Sequence, residues 1–149
     1  MPFDDLVRVP LFFPWHGVQG SRVVLGPVQS YDFALTALDS AGIEPSIDDV
    51  DGRSLRPLLG GRGDGAEPDR PVFCAIGIGW PMVRRGSHKY FVHAQHGSPV
   101  LFDLERDPGE RVNLAGNSRY ASIERGLADD LAQRVAKPSL THATIHSVR

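Results

Sequence analysis

Histidines, a single cysteine and an adjacent arginine pair are the residue types through which this sequence could do chemistry. His88, His93 and His96 lie close together, and His142 and His146 have the i, i+4 spacing of one helical face. A metal site needs three or four converging ligands, each held by partners of its own. His88 and His93 are an odd number of residues apart, so on a strand they point to opposite faces. The tail pair follows the helix-stopping Pro138 and has no carboxylate near it. These histidines read as solvated strand and tail residues. Cys74 lies inside the apolar run Val72 to Ile78, where a buried thiol is inert. Arg84 and Arg85 can clamp an anionic group through paired N–H donors, although alternating strand faces let only one of them reach a given ligand. Asp48, Asp49 and Asp51 form an acidic run in an extended loop and read as a solvated edge. The sequence contains no Gly-x-Ser-x-Gly, no glycine-rich phosphate loop and no His-Glu-x-x-His. Taken alone, these residues make no self-sufficient active site.

The elements that must position them fall into two groups. Leu11 to Phe13 reads as a strand between two prolines, and Arg22 to Leu25 as a short second strand. A helix follows, capped by Ser30 or Asp32, with Phe33, Leu35, Ala37 and Leu38 as its apolar face and Gly42 as its stop. Ser54 to Leu59 reads as a short helical piece. Gly60 to Pro71 is rich in Gly, Asp, Glu and Arg, and reads as a linker or exposed loop. Beyond it, Val72–Ile78, Met82–Arg85, Lys89–His93 and Val100–Leu104 read as strands, with turns at Gly86-Ser87 and at Asp107 to Glu110. Ile123, Leu127, Leu131 and Val135 recur every four residues and predict an amphipathic helix over Tyr120 to Val135.

Composition bounds the class. The chain has 149 residues, is 41% hydrophobic and 23% charged, and carries a formal net charge of -2. A chain of this size buries about 70% of its unfolded surface and needs no disulfide. Neither charge sign dominates, which argues against a nucleic-acid partner. No apolar run approaches the roughly 20 residues of a membrane helix, and no secretory leader is visible. The expectation is a cytoplasmic α/β or α+β protein.

Four segments resemble the C-terminal third of the type I sulfatases, of the alkaline-phosphatase-like superfamily. Phe3-Asp4-Asp5-Leu6-Val7-Arg8-Val9-Pro10-Leu11 is similar to the family's aromatic-acidic-x-x-x-Arg-Val-Pro-Leu. Asp32 to Ile43 resembles its Asp-x-x-x-Thr-x-Leu-x-x-x-Gly-Ile helix. Asp51-Gly52-Arg53-Ser54-Leu55-Arg56-Pro57-Leu58-Leu59 is similar to Asp-Gly-x-Ser-Leu-x-Pro-Leu-Leu. Leu101 to Ala115 resembles Leu-Tyr/Phe-Asp-Leu-x-x-Asp-Pro-x-Glu-x-x-Asn-Leu. His16 and Leu35 stand where the family usually has proline.

The resemblance implies an α/β protein: residues 1–60 as the last strand and helix of the large sulfatase domain, 61–71 as a linker, and 72–149 as a small α+β domain. That small domain would be an antiparallel sheet of about four strands with one C-terminal helix. It also implies what the 149 residues do not carry. The family's formylglycine nucleophile arises in a Cys/Ser-x-Pro-x-Arg motif, and its calcium or magnesium ligands are carboxylates and Asn or His elsewhere; no such motif occurs here. By position in the family, Trp80, Arg84, His88 and His93 are the candidates to line the wall facing the organic part of a sulfate ester. A phosphonate or phosphodiester hydrolase shares this C-terminal pattern. The alternative reading is a non-catalytic docking module, whose partner is an N-terminal sulfatase half or a second copy of the chain.

Overall fold

The computed structural model describes residues 1–12, 23, 26–44, 52–59, 69–76, 80–93 and 96–136. A four-stranded antiparallel meander carries the architecture, with strands in the order β1 (Val72–Ile76), β2 (Trp80–Arg85), β3 (His88–Val92) and β4 (Pro99–Asp103). The β2–β3 connection is the expected Gly86-Ser87 turn. There Gly86 takes the left-handed φ of 56° that a two-residue hairpin favours. Among the described residues three short helices precede the sheet: α1 (Asp4–Val7), α2 (Ser30–Ser40) and α3 (Arg56–Leu59). A single turn at Ser118–Tyr120 leads into α4 (Ala121–Ala136) after it.

Both faces of the sheet are covered, which is why its strands are apolar almost throughout. On one face Val83, Tyr90 and Leu101 pack against Leu127 and Leu131 of α4. The four-residue period holds for Ile123, Leu127 and Leu131, whereas Val135 has run past the sheet and is exposed. On the other face Met82, Phe91 and Phe102 meet the N-terminal segment through Phe3 and Val7. The ring centroids of Phe3 lie 6.4 Å from Phe91 and 6.1 Å from Phe102. Such edge and tilted contacts add to burial worth about 1.5–3 kcal/mol per large apolar side chain.

The first segment departs from its expected strand. Residues 4–7 form a helical turn, and Leu11 and Phe12 belong to no strand. Phe13 and all of Arg22–Leu25 except Val23 lie outside the described residues, as does 60–68 of the expected linker. The cap of α2 also differs. Gln29 is the N-cap, and its N–H donates to Asp32 Oδ2 at 2.9 Å. Asp32, three positions on, serves the helix start from within, while Ser30 faces solvent.

The burial of α2 departs in part from expectation: Leu35 and Leu38 are half-buried, but the fully buried residues are polar. Asp32 and Thr36 are 0% exposed, while Tyr31 and Phe33 are 57% and 51% exposed. Buried polar groups persist only when paired, and both are. Asp32 receives Arg70 Nη1 and Nη2, each at 2.8 Å, and the Arg53 backbone N–H at 2.8 Å. Thr36 Oγ1 donates to Asp32 O at 2.5 Å and accepts from Leu55 N at 2.8 Å. Arg70, inside the expected linker, is thus buried and ties the residues before β1 to α2.

Candidate functional site

Strand parity divides the four candidate residues. Trp80, Met82 and Arg84 of β2 share the face that meets the N-terminal segment, together with Lys89 and Phe91 of β3 and His93 just beyond it. His88 lies on the α4 face, so the opposed placement of His88 and His93 inferred from their spacing is what the sheet produces.

Trp80 and His93 come together. Their ring centroids are 4.0 Å apart, edge to face, and His96 lies 4.5 Å beyond His93 at an interplanar angle of 35°. Trp80 also meets the edge of Phe91 at 6.0 Å. Arg84 is not part of this row. It lies four positions from Trp80, roughly 13 Å along β2. Its Nε donates to Gly86 O at 3.1 Å, and its Nη1 lies 3.8 Å from Asp4 Oδ2. Arg85, on the opposite face, is bound to Asp130 of α4. The two arginines therefore serve different faces.

His88 borders a separate cleft of about 370 Å³, between the Gly86-Ser87 turn and the first turns of α4. Its Nε2 is 3.9 Å from Asp103 Oδ2, and its ring is 6.1 Å from that of Tyr120. The cleft's two cationic candidates, Arg85 and His88, thus already face Asp130 and Asp103.

Beside Arg84 lies a buried ion cluster that the sequence reading did not anticipate. Lys89 is 0% exposed. Its Nζ is 2.5 Å from Asp4 Oδ1 and 2.6 Å from Glu110 Oε1. Glu110 Oε2 accepts from the Asp4 backbone N–H at 2.6 Å, and Glu110 takes φ 53° to do so. A non-glycine residue in the left-handed region costs of order 1 kcal/mol, offset here by two charge-assisted contacts.

The family-like motifs prove to be clamps. Asp32 and Thr36 hold the backbone of Arg53 and Leu55, and Asp39 holds Ser54 and Arg56. A Cβ at Gly52 would lie 2.8 Å from the carbonyl carbon and oxygen of Tyr31, so only glycine fits there. Asp107 Oδ2 accepts from Arg111 N and Val112 N at 2.7 and 2.8 Å. Asn113 Oδ1 accepts from Leu101 N at 2.9 Å, folding the loop back along β4.

Burial pushes the Cys74 thiol up from its ordinary value, against a weaker opposite pull from Lys89, which disfavours the reactive thiolate. Burial likewise raises Tyr90. Among the described residues no three His, Cys, Asp or Glu side chains are grouped to hold a metal ion. No described helix is long and apolar enough to cross a membrane.

No family model matches the chain. Curated proteins and solved structures do. The Δ4,5-hexuronate-2-O-sulfatase of Bacteroides thetaiotaomicron is 28% identical over 146 residues, 89% of this chain and 30% of the relative. The choline-sulfatase of Rhizobium meliloti is 37% identical over 123 residues, 78% of this chain and 23% of the relative. The crystal structure of the phosphonate monoester hydrolase of Agrobacterium radiobacter superposes with a TM-score of 0.53 at 28% identity, over 70% of this chain and 24% of that one. Over most of its length the chain is similar to sulfatases, in keeping with the type I sulfatase family. It spans 23% and 30% of the length of the two curated relatives.

Proposed function

We propose that these residues form the C-terminal part of a sulfuric ester hydrolase and are inactive by themselves. The observation that carries this reading is the match of most of the chain to less than a third of two sulfatases. The formylglycine nucleophile and the calcium or magnesium ligands would come from the remaining length of such an enzyme. This part would contribute Trp80, Arg84, His88 and His93 to the wall beside the organic group of the ester. Trp80 and His93 are the best placed, being in contact and half-exposed.

The partner in this proposal is the N-terminal portion of the sulfatase fold. The outward apolar side of α2 supports it, as do Leu6, Val9 and Phe12, the last 86% exposed. Exposed large apolar side chains are candidates for cover by a partner. A second copy of the chain is the competing occupant. The one cysteine is half-buried and unpaired, compatible with the proposed cytoplasmic setting.

The test is turnover of 4-nitrophenyl sulfate with calcium or magnesium supplied. The pure chain should show none; co-expression with the complementary portion of a sulfatase should restore it. Metal-dependent turnover by the pure chain would overturn the reading. A second reading, phosphonate monoester hydrolysis, is favoured by the structural match to such an enzyme. Restored cleavage of a phosphonate monoester without cleavage of the sulfate would select it.

A further inference from the structure

The cleft on the α4 face of the sheet has a floor that packing does not explain. Gly126 stands inside α4, where glycine is among the poorest helix formers. A Cβ there would meet only Arg85 Nη1, at an ordinary 3.9 Å, so the packing does not require glycine. What glycine does at this position is keep the cleft open. The volume of about 370 Å³ falls at the lower end of the roughly 300–1,000 Å³ usual for small-molecule sites.

The lining carries three kinds of chemistry. Ile123, Leu127 and the backbone of Gly126 supply an apolar floor. Arg85 meets Asp130 through Nη2, which leaves Nη1, the nitrogen beside Gly126, as a donor into the cleft. His88 is half-buried, yet neither ring nitrogen has a partner nearer than 3.4 Å among the described residues. Nδ1 is 3.4 Å from Ser87 Oγ, and Nε2 is 3.9 Å from Asp103 Oδ2. A neutral imidazole therefore has a donor and an acceptor to offer a ligand. Asp69 lines the same cleft, is exposed, and makes no ion pair among the described residues.

A free guanidinium edge, an uncompensated carboxylate and a hydrocarbon floor together select a ligand with both charges and an apolar part. A plain anion would satisfy Arg85 and be repelled by Asp69; a plain amine would do the reverse. An α-amino acid carries both charges at neutral pH, and its carboxylate gains charge-assisted bonds from a guanidinium.

We propose that this cleft binds a small zwitterion of the α-amino-acid class. Arg85 and His88 take its carboxylate, Asp69 takes its ammonium group, and an apolar side chain lies over Gly126 and Leu127.

The experiment is a chemical-shift titration of the whole ¹⁵N-labelled chain with L-leucine, L-methionine and L-phenylalanine. Each is run beside the acid that lacks its amine and the amine that lacks its carboxylate. At least one amino acid should move the amides of Ser87, His88 and Gly126 saturably, and bind at least fivefold tighter than either of its truncated forms. Asp69→Asn, at an exposed position, should weaken that amino acid at least fivefold while changing its amine-free acid less than twofold. Gly126→Leu, which fills the floor, should abolish the shifts while leaving the amides of Val83 and Leu101 in place. Three results would each overturn the site: no saturable shift with any of the amino acids, equal binding of a truncated form, or unchanged affinity in Asp69→Asn. The titration reads binding alone, so its failure leaves the hydrolase reading standing, and failed complementation leaves this site standing.

Discussion

Asp32→Asn tests the clamp between α2 and the residues before β1. The Asp32 carboxylate is fully buried and accepts four hydrogen bonds, from Gln29 N, Arg53 N and both terminal nitrogens of Arg70. An amide keeps one acceptor oxygen but turns an NH₂ group toward donors, leaving the buried Arg70 guanidinium without a counter-charge. Breaking one side of a buried pair costs about 3–5 kcal/mol, against a total of about 5–15 kcal/mol for a domain. Urea unfolding should therefore show a midpoint lowered by about a fifth or more. Arg70→Met combined with Asp32→Asn should be less than additive by about 2 kcal/mol. The pH dependence has a definite sign. Burial opposes the charged carboxylate, but the hydrogen bonds from Arg70, Gln29 and Arg53 outweigh it and hold Asp32 below its ordinary 3.8. A depressed folded-state value gives stability that is present above pH 3.8 and is lost as the pH falls through the folded value. The wild type should lose this contribution below about pH 4, and Asp32→Asn should lack that limb. A variant within 1 kcal/mol of wild type, or one with an unchanged acid limb, would refute the reasoning.

Two further outcomes follow from the packing. Gly52→Ala forces a Cβ against the Tyr31 carbonyl, a backbone contact that cannot rotate away; it should destabilise by about 2 kcal/mol or more, read from thermal unfolding. Lys89→Met leaves Asp4 and Glu110 facing each other without their shared cation; it should cost about 3–5 kcal/mol and speed hydrogen exchange in residues 4–8 more than in α4.

The small sheet was legible because each strand is a short apolar run bounded by turn residues. α4 was legible because Ile123, Leu127 and Leu131 keep helical phase. α1 was not, since one turn has no periodicity to detect. α2 misled for a clearer reason. Asp32 and Thr36 look like a solvent face and Phe33 like a core residue, yet the partner that makes Asp32 buriable, Arg70, lies 38 residues away in a stretch that reads as solvated. Lys89 is the same case, with partners 85 and 21 residues distant. Long-range ion pairs leave no local pattern. Of the candidate site, Trp80 and His93 were named from position in the family. In the sequence His96 is only a near neighbour of His93, because a contact between two rings leaves no pattern of spacing.

The cover that residues 1–8 place over one face of the sheet has a consequence for the order of assembly. The meander β1 to β4 pairs neighbours in sequence and can zip hairpin by hairpin. Docking of Asp4 and Phe3 must instead close loops of 85 residues to Lys89 and 106 to Glu110. Loop closure grows dearer only logarithmically with length, but the contacts that reward it exist only once β3, β4 and the Glu110 turn are in place. Phe3 is made before every strand it packs against and is among the last of these side chains to find its place. Until Glu110 is in place, the Met82–Phe91–Phe102 surface stays open and sticky, and premature termination between β4 and Glu110 would leave a chain prone to aggregate.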